Sequence, residues 1–218
     1  MNRRLHLCSE TKLEAPEMKR ALLAALLFAF QMSFAQLYVG TMQGAAISKV
    51  YFSPAYSQSL TTGYSGGVLL TYLENGGLGI DFGLLLTQRG WALNFEDTSY
   101  ARINNVLELP FLSHFTLGKG NIRGILLIGA NLGYIMSANE ESEAGGGSYS
   151  FTDADNRVTF GLSGGLGIKF VQPNWFTQIT VRYVNDISNL YESPEITYSL
   201  NQFFLIQAGV SFRLKREN

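Results

Sequence analysis

Side chains able to do acid–base or nucleophilic chemistry are scarce in this chain. Its 218 residues include 2 histidines and 1 cysteine. His114 is flanked by Ser113, but adjacent residues of a strand point to opposite faces, so the two form no hydrolytic dyad. No Asp-x-His or His-x-Ser spacing occurs. Cys8 has no apolar run before it and does not read as a lipid attachment site. Glu140, Glu141, Glu143, Asp153 and Asp155 cluster around the glycines at 145–147. The Asp153-x-Asp155 spacing opens like a calcium loop but lacks the glycine at the sixth position and the glutamate at the twelfth. That stretch reads as a solvated loop, with Tyr149 and Phe151 available for contact with a partner. Glu108 is different, because it interrupts a run of apolar residues, Leu107, Leu109 and Pro110. A carboxylate in such a setting must be paired or hydrogen-bonded.

The elements that position these residues are strands. Downstream of residue 35 no pattern of period 3.6 is sustained, whereas period-2 stretches of about 10–14 residues recur. They fall near 38–48, 62–73, 77–91, 101–115, 122–136, 157–170, 175–186 and 203–214. In the last, Phe204, Ile206, Ala208, Val210, Phe212 and Leu214 oppose Gln207, Gly209, Ser211 and Arg213. The first stretch alternates poorly. Connections are short at 74–76, 116–121 and 171–174, where Asn, Gly and Pro supply turn chemistry. They are long at 49–61, 92–100, 137–156 and 187–202. Strict alternation of short and long connections predicts an all-β, eight-stranded, antiparallel up-and-down transmembrane barrel with both termini at its periplasmic end. A soluble β-sandwich also alternates, but it has no reason to carry two belts of outward aromatics. Here Tyr72, Phe115, Phe170, Trp175 and Phe212 fall near the short-turn ends. Tyr64, Tyr134, Phe160, Tyr183 and Phe204 fall near the other ends. Within a strand the belts are about 26–33 Å apart along the chain, which matches the apolar band of a barrel.

An eight-stranded barrel is only wide enough to be filled by its own side chains. Glu108 falls on its inner face together with Arg102, Arg123, Arg182 and Asp81. These five are expected to form a lumenal ion network that stiffens the wall. Arg89, Lys169 and Arg213 share that face, so the lumen reads as net positive. The motif Gly-Gly-Leu-Gly-Ile occurs at 76–80 and again at 164–168. No helix follows either copy, so neither is a phosphate loop, and glycines at a crowded inner wall explain both.

The N-terminus has the layout of an export signal. Lys19 and Arg20 precede an apolar core at 21–30, and Ser33-Phe34-Ala35 forms a small-x-small cleavage site before Gln36. The apolar run is too short to span a bilayer as a helix. Residues 1–17 read as an upstream extension, with translation starting at Met18. Residues 18–35 form the signal, and 36–218 form the barrel domain. That domain holds 14 acidic and 11 basic residues and no cysteine. Across the whole chain only 15% of residues are charged, 13% are aromatic and the net charge is −1, which argues against nucleic-acid binding.

The segments 105–111 (NVLELPF), 125–134 (ILLIGANLGY), 165–170 (GLGIKF) and 209–212 (GVSF) carry a family likeness. So do Val181, Arg182 and Tyr183 ahead of Asn185 and Asp186. With these the chain resembles the PorT-like outer-membrane β-barrel proteins over essentially all of 36–218. One branch of that family is implicated in secretion across the outer membrane. The resemblance implies an outer-membrane protein of the Gram-negative envelope, and the narrow barrel and the missing catalytic spacings add the expectation of a non-enzymatic protein with a plugged lumen. Its role would be structural or interactive, with service as an accessory to secretion or envelope assembly as the narrower form. The alternative is a small-solute channel or ligand-binding barrel. No catalytic, metal or cofactor site is expected. The expected partners are outer-membrane lipid and lipopolysaccharide, barrel-assembly machinery reading Phe212 and Leu214, and an envelope protein at the external loops.

Overall fold

A computed structural model of the chain describes residues 36–53, 58–74, 77–94, 99–142, 146–148, 150–153, 155–191, 194 and 197–214. The extension 1–17, the signal 18–35 with Ala35, the tail 215–218, Glu143, Tyr149 and the Asn75-Gly76 turn lie outside the described residues. Eight long strands build the wall. They are β1 (Gln36–Ser53), β3 (Thr61–Leu73), β4 (Leu78–Asn94), β5 (Ser99–Leu117), β6 (Ile122–Ser142), β8 (Val158–Val171), β9 (Trp175–Asp186) and β10 (Tyr198–Arg213). Two-residue strands, β2 (Gln58–Ser59) and β7 (Gly147–Ser148), pair with β4 and β6. Each long strand pairs antiparallel with its neighbours in sequence, and β1 pairs with β10 from Tyr38↔Arg213 to Ser53↔Tyr198. The ring therefore closes, and its wall has no free edge.

The hairpin turns gather at one end. Gly77, Gly118 and Gly120 adopt positive φ of 87°, 94° and 94°, a conformation that glycine takes without a steric penalty. Alternation along the strands then sorts side chains. In β10, Phe204, Ile206 and Phe212 are exposed, while Phe203, Leu205, Gln207 and Ser211 are buried. All ten aromatics of the two belts face outward, and Tyr183 and Phe204 touch across neighbouring strands at 4.9 Å. Between the belts no charged side chain faces outward among the described residues.

The strands run further than the hydrophobic alternation does. Segments read as long connections from their polarity are strand at their margins: β1 continues to Ser53, β6 to Ser142, and β10 begins at Tyr198. Alternation marks where the wall meets lipid, whereas ladder hydrogen bonding continues beyond it. A bulge in β6 assists this. Asn105 pairs with Ser137 but Val106 pairs with Ile135, leaving Met136 extra. Ile135 and Ala138 are both buried while Met136 and Ser137 are exposed, so one inserted residue switches the inward parity from odd to even.

Leu166 lies between the belts on β8 and is 65% exposed. Leu166→Arg is expected to cost about 2–4 kcal/mol of stability in a bilayer, the range for a cation at the midplane of a barrel wall. Urea unfolding in phosphatidylcholine vesicles measures it. A change below about 0.5 kcal/mol would contradict lipid contact at this face.

Candidate functional site in the lumen

The inner face stacks in layers from the short-turn end to the long-loop end. The central layer is ionic. Arg89 of β4 places Nη1 3.3 Å from Glu108 Oε1 and 3.0 Å from Asp186 Oδ2. The angles of both contacts miss hydrogen-bond geometry, so these are ion pairs. Arg89 Nη2 donates to Thr159 Oγ1 at 2.6 Å, and the guanidinium lies 4.8 Å from the Phe203 ring centroid. Asn131 Nδ2 donates to Glu108 Oε2 at 3.3 Å while its Oδ1 accepts from Arg182 Nη1 at 3.4 Å. Two cations and two carboxylates balance here, and all four side chains are buried. Glycines make the room. A Cβ on Gly161 would collide with the Asp186 carboxylate, and one on Gly133 with the Thr159 hydroxyl.

Toward the short turns the next layer centres on His114. Asp81 Oδ2 accepts from His114 Nδ1 at 2.8 Å, which leaves Nε2 to accept from Lys169 Nζ at 3.3 Å. Apolar residues pack around these groups, Met42 with Leu69 and Leu85, and Leu112 with Ile125 and Leu127. The space left between this layer and the central one is a cavity of about 20 Å³ bounded by Asp81, Leu85, Pro110 and Arg182. That is room for about one water molecule.

At the long-loop end the lumen is capped by an apolar cluster of Val50, Phe52, Trp91, Val106, Ile135 and Leu190. Phe151 and Tyr191 pack against it from the connecting segments. Arg102 threads the cap. Its guanidinium lies 5.4 Å from the Trp91 ring, 5.4 Å from Tyr191 and 5.8 Å from Phe151. Nη1 donates to the Tyr191 hydroxyl at 2.6 Å, and Nη2 is 4.0 Å from Asp155. Asp155 therefore turns inward, although its acidic stretch reads as solvated; Asp153 stays exposed. Glu140 accepts from the Tyr100 hydroxyl. No group of three or more His, Cys, Asp or Glu is placed to hold a metal among the described residues.

Glu108 and the four residues expected around it are thus spread over the height of the lumen. Arg182 joins Glu108 through Asn131, whereas Arg102 sits in the cap, Asp81 pairs with His114, and Arg123 stands at the short-turn mouth. Strand parity identifies a face but not a height, and that is why the five could not be separated by alternation. Arg89 and Asp186 complete the central layer. Asp186 was readable, because the parity that turns Arg182 inward also turns the residue four further on. The Asp81–His114 contact depends on pairing Gly79 with His114 across a long connection. No turn chemistry announces that register.

A family model described as outer membrane protein beta-barrel domain matches residues 31–192. Neisserial surface protein A is similar in structure at 18% identity over 83% of this chain and 99% of that chain, with a TM-score of 0.46. OprG from Pseudomonas aeruginosa is similar at 11% identity over 84% and 99%, with a TM-score of 0.46. Ail of Yersinia pestis, in complex with the heparin analogue sucrose octasulfate, is similar at 19% identity over 81% and 99%, with a TM-score of 0.44. No curated protein matches the sequence.

Proposed function

The chain belongs to the outer membrane protein beta-barrel domain family, and from that premise we propose that it is a non-enzymatic barrel with a closed lumen, acting through structure and contact. One observation carries this reading. A buried, charge-balanced layer and an aromatic cap stand in series along the lumen, with about 20 Å³ of space on the short-turn side of the ionic layer. A conducting pore needs a continuous aqueous path, and an eight-stranded wall leaves none once these side chains are in place. The work then falls to the outside surfaces. The wall contacts lipid and lipopolysaccharide, Phe212 and Leu214 serve barrel assembly, and the strand extensions beyond the upper aromatic belt meet an envelope protein. The PorT-like wording of 105–111 and 125–134 supports an accessory part in secretion or envelope assembly. The Asp81–His114 pair does not argue for hydrolysis, because His114 Nε2 accepts from Lys169 rather than facing a hydroxyl nucleophile.

The refolded wild-type protein in planar bilayers is expected to show no steady single-channel conductance. Reproducible unitary currents would overturn the closed-lumen reading. The ligand-binding alternative draws on a separate observation, the open space at the short-turn mouth.

A further inference from the structure

Below the His114 layer the lumen widens into a cavity of about 510 Å³, walled by the short turns and by the ends of β1, β6, β8 and β10. That volume lies within the range of small-molecule sites. Three cations line it: Lys169, Arg123 and Arg213. Among the described residues none of them has a carboxylate within ion-pair distance. Asp81 is engaged by His114, and Glu74, which also lines the cavity, is exposed at its rim. Arg123 Nε donates to the Gly120 carbonyl at 2.7 Å, which fixes its stem and leaves its terminal nitrogens to the cavity. The Tyr38 hydroxyl donates to Gln36 Oε1 at 2.6 Å, Arg123 and Arg213 both lie within electrostatic reach of Tyr38, and Arg123 also lies within reach of Lys169. Thr116 Oγ1 belongs to the same wall and is buried without a hydrogen-bond partner among the described residues.

Convergent cations repel one another, and the arrangement is most stable when an anion sits between them. Two guanidinium forks and one ammonium match a tetrahedral oxyanion carrying several acceptor oxygens. The cavity is larger than the oxyanion alone, and its lining also includes the apolar Leu73, Val171 and Phe176 beside the polar Gln36, Asn121 and Gln172. We propose that the short-turn mouth of the barrel is a binding site for a small organic phosphate, held by Arg123, Arg213 and Lys169. The inference does not rest on the closed-lumen reading, since the site lies on the short-turn side of the central layer and needs no passage through it.

A phosphate of this kind has two sources, a soluble phosphoester or the headgroup of an anionic phospholipid. The test uses the refolded full-length barrel in nanodiscs of phosphatidylcholine at about 0.15 M salt, where exposed charges are screened beyond about 8 Å. Glycerol 3-phosphate is titrated by calorimetry. Saturable one-site binding is expected, weakened about tenfold or more in R123Q/R213Q, because charge-assisted hydrogen bonds are lost. Lys119→Gln, on an exposed turn outside the cavity, is expected to bind as the wild type does. Lys169→Gln is expected to weaken binding as well; should it fail to fold, R123Q/R213Q, altered at the half-buried and exposed rim, still decides. Repeating the titration in nanodiscs containing phosphatidylglycerol separates the sources. Apparent affinity falls if the lipid headgroup already fills the site, and is unchanged if the ligand is the soluble phosphoester. No saturable binding in either membrane overturns the proposal. So does equal weakening by K119Q and R123Q/R213Q, which would mark non-specific charge attraction.

Discussion

Arg89→Ala is expected to lower the unfolding free energy by about 3–5 kcal/mol, the range for removing one partner of a buried ion pair. Arg89 is 2% exposed and contacts both central carboxylates. Truncation removes the cation that Asp186 contacts and leaves Glu108 with Arg182, linked through Asn131. It also strips Thr159 of a donor and Phe203 of its cation. One carboxylate left without a matching cation in a dry interior is more costly than the lost contacts alone. The double variant Arg89→Ala/Asp186→Asn restores the charge balance, since Glu108 is then matched by Arg182. Its cost is expected to fall short of the sum of the single costs by about 1–3 kcal/mol, as for residues sharing one network. Urea titrations in lipid vesicles, followed by tryptophan fluorescence, provide both quantities. A cost below about 1 kcal/mol for Arg89→Ala would show that the layer does not hold the barrel together.

Trp91→Ala is the second large effect. Trp91 is 3% exposed and meets Phe52 and Tyr191 edge-on, each at 5.8 Å, with Arg102 over its ring. Removing a buried indole costs about 3–5 kcal/mol when the surroundings cannot collapse into the space. Hydrogen-bonded strands fix the positions of Phe52 and Trp91, so little collapse is available. Trp91→Phe retains most of the packing and is expected to cost less than half as much. On the proposed closed-lumen reading the cap and the central layer obstruct separately, so Trp91→Ala is expected to remain non-conducting in planar bilayers although it is destabilised. Steady conductance from this variant alone would show that the ionic layer does not occlude the lumen.

What could be read in advance follows from how evenly the two faces of each strand differ. In β9 and β10 most outward residues are apolar, and the inward ones include Gln178, Thr180, Arg182, Gln207 and Ser211, so parity is plain. In β1 the contrast inverts. Tyr38, Met42, Ala46, Val50 and Phe52 face the lumen, while Thr41 and Gln43 face outward. Hydrophobicity on that strand is divided between lipid and the interior, which explains why its alternation is weak. The belts were legible because each aromatic shares its strand with a strong alternation. Contacts between strands joined by long connections were not legible, because register there is set by packing and not by a turn. The triad of Asp81, His114 and Lys169 comes from three strands and is therefore visible only in three dimensions. The bulge at Met136 likewise has no sequence mark, since Met136 and Ser137 are unremarkable residues for the rim of a wall.

The pairing of β1 with β10 has a consequence for the order of assembly. The first strand of the wall finds one of its two neighbours only when the last strand has been made. Until then both carry open hydrogen-bonding edges, which recruit other strands if left uncovered. Closing that single seam joins residues about 160 positions apart, and contacts so distant in sequence form slowly. No shortened chain lacking either strand has a closed form to fall back on. The barrel is therefore completed at one clasp or not at all, and a lesion in either terminal strand is expected to arrest the whole molecule rather than one part of it.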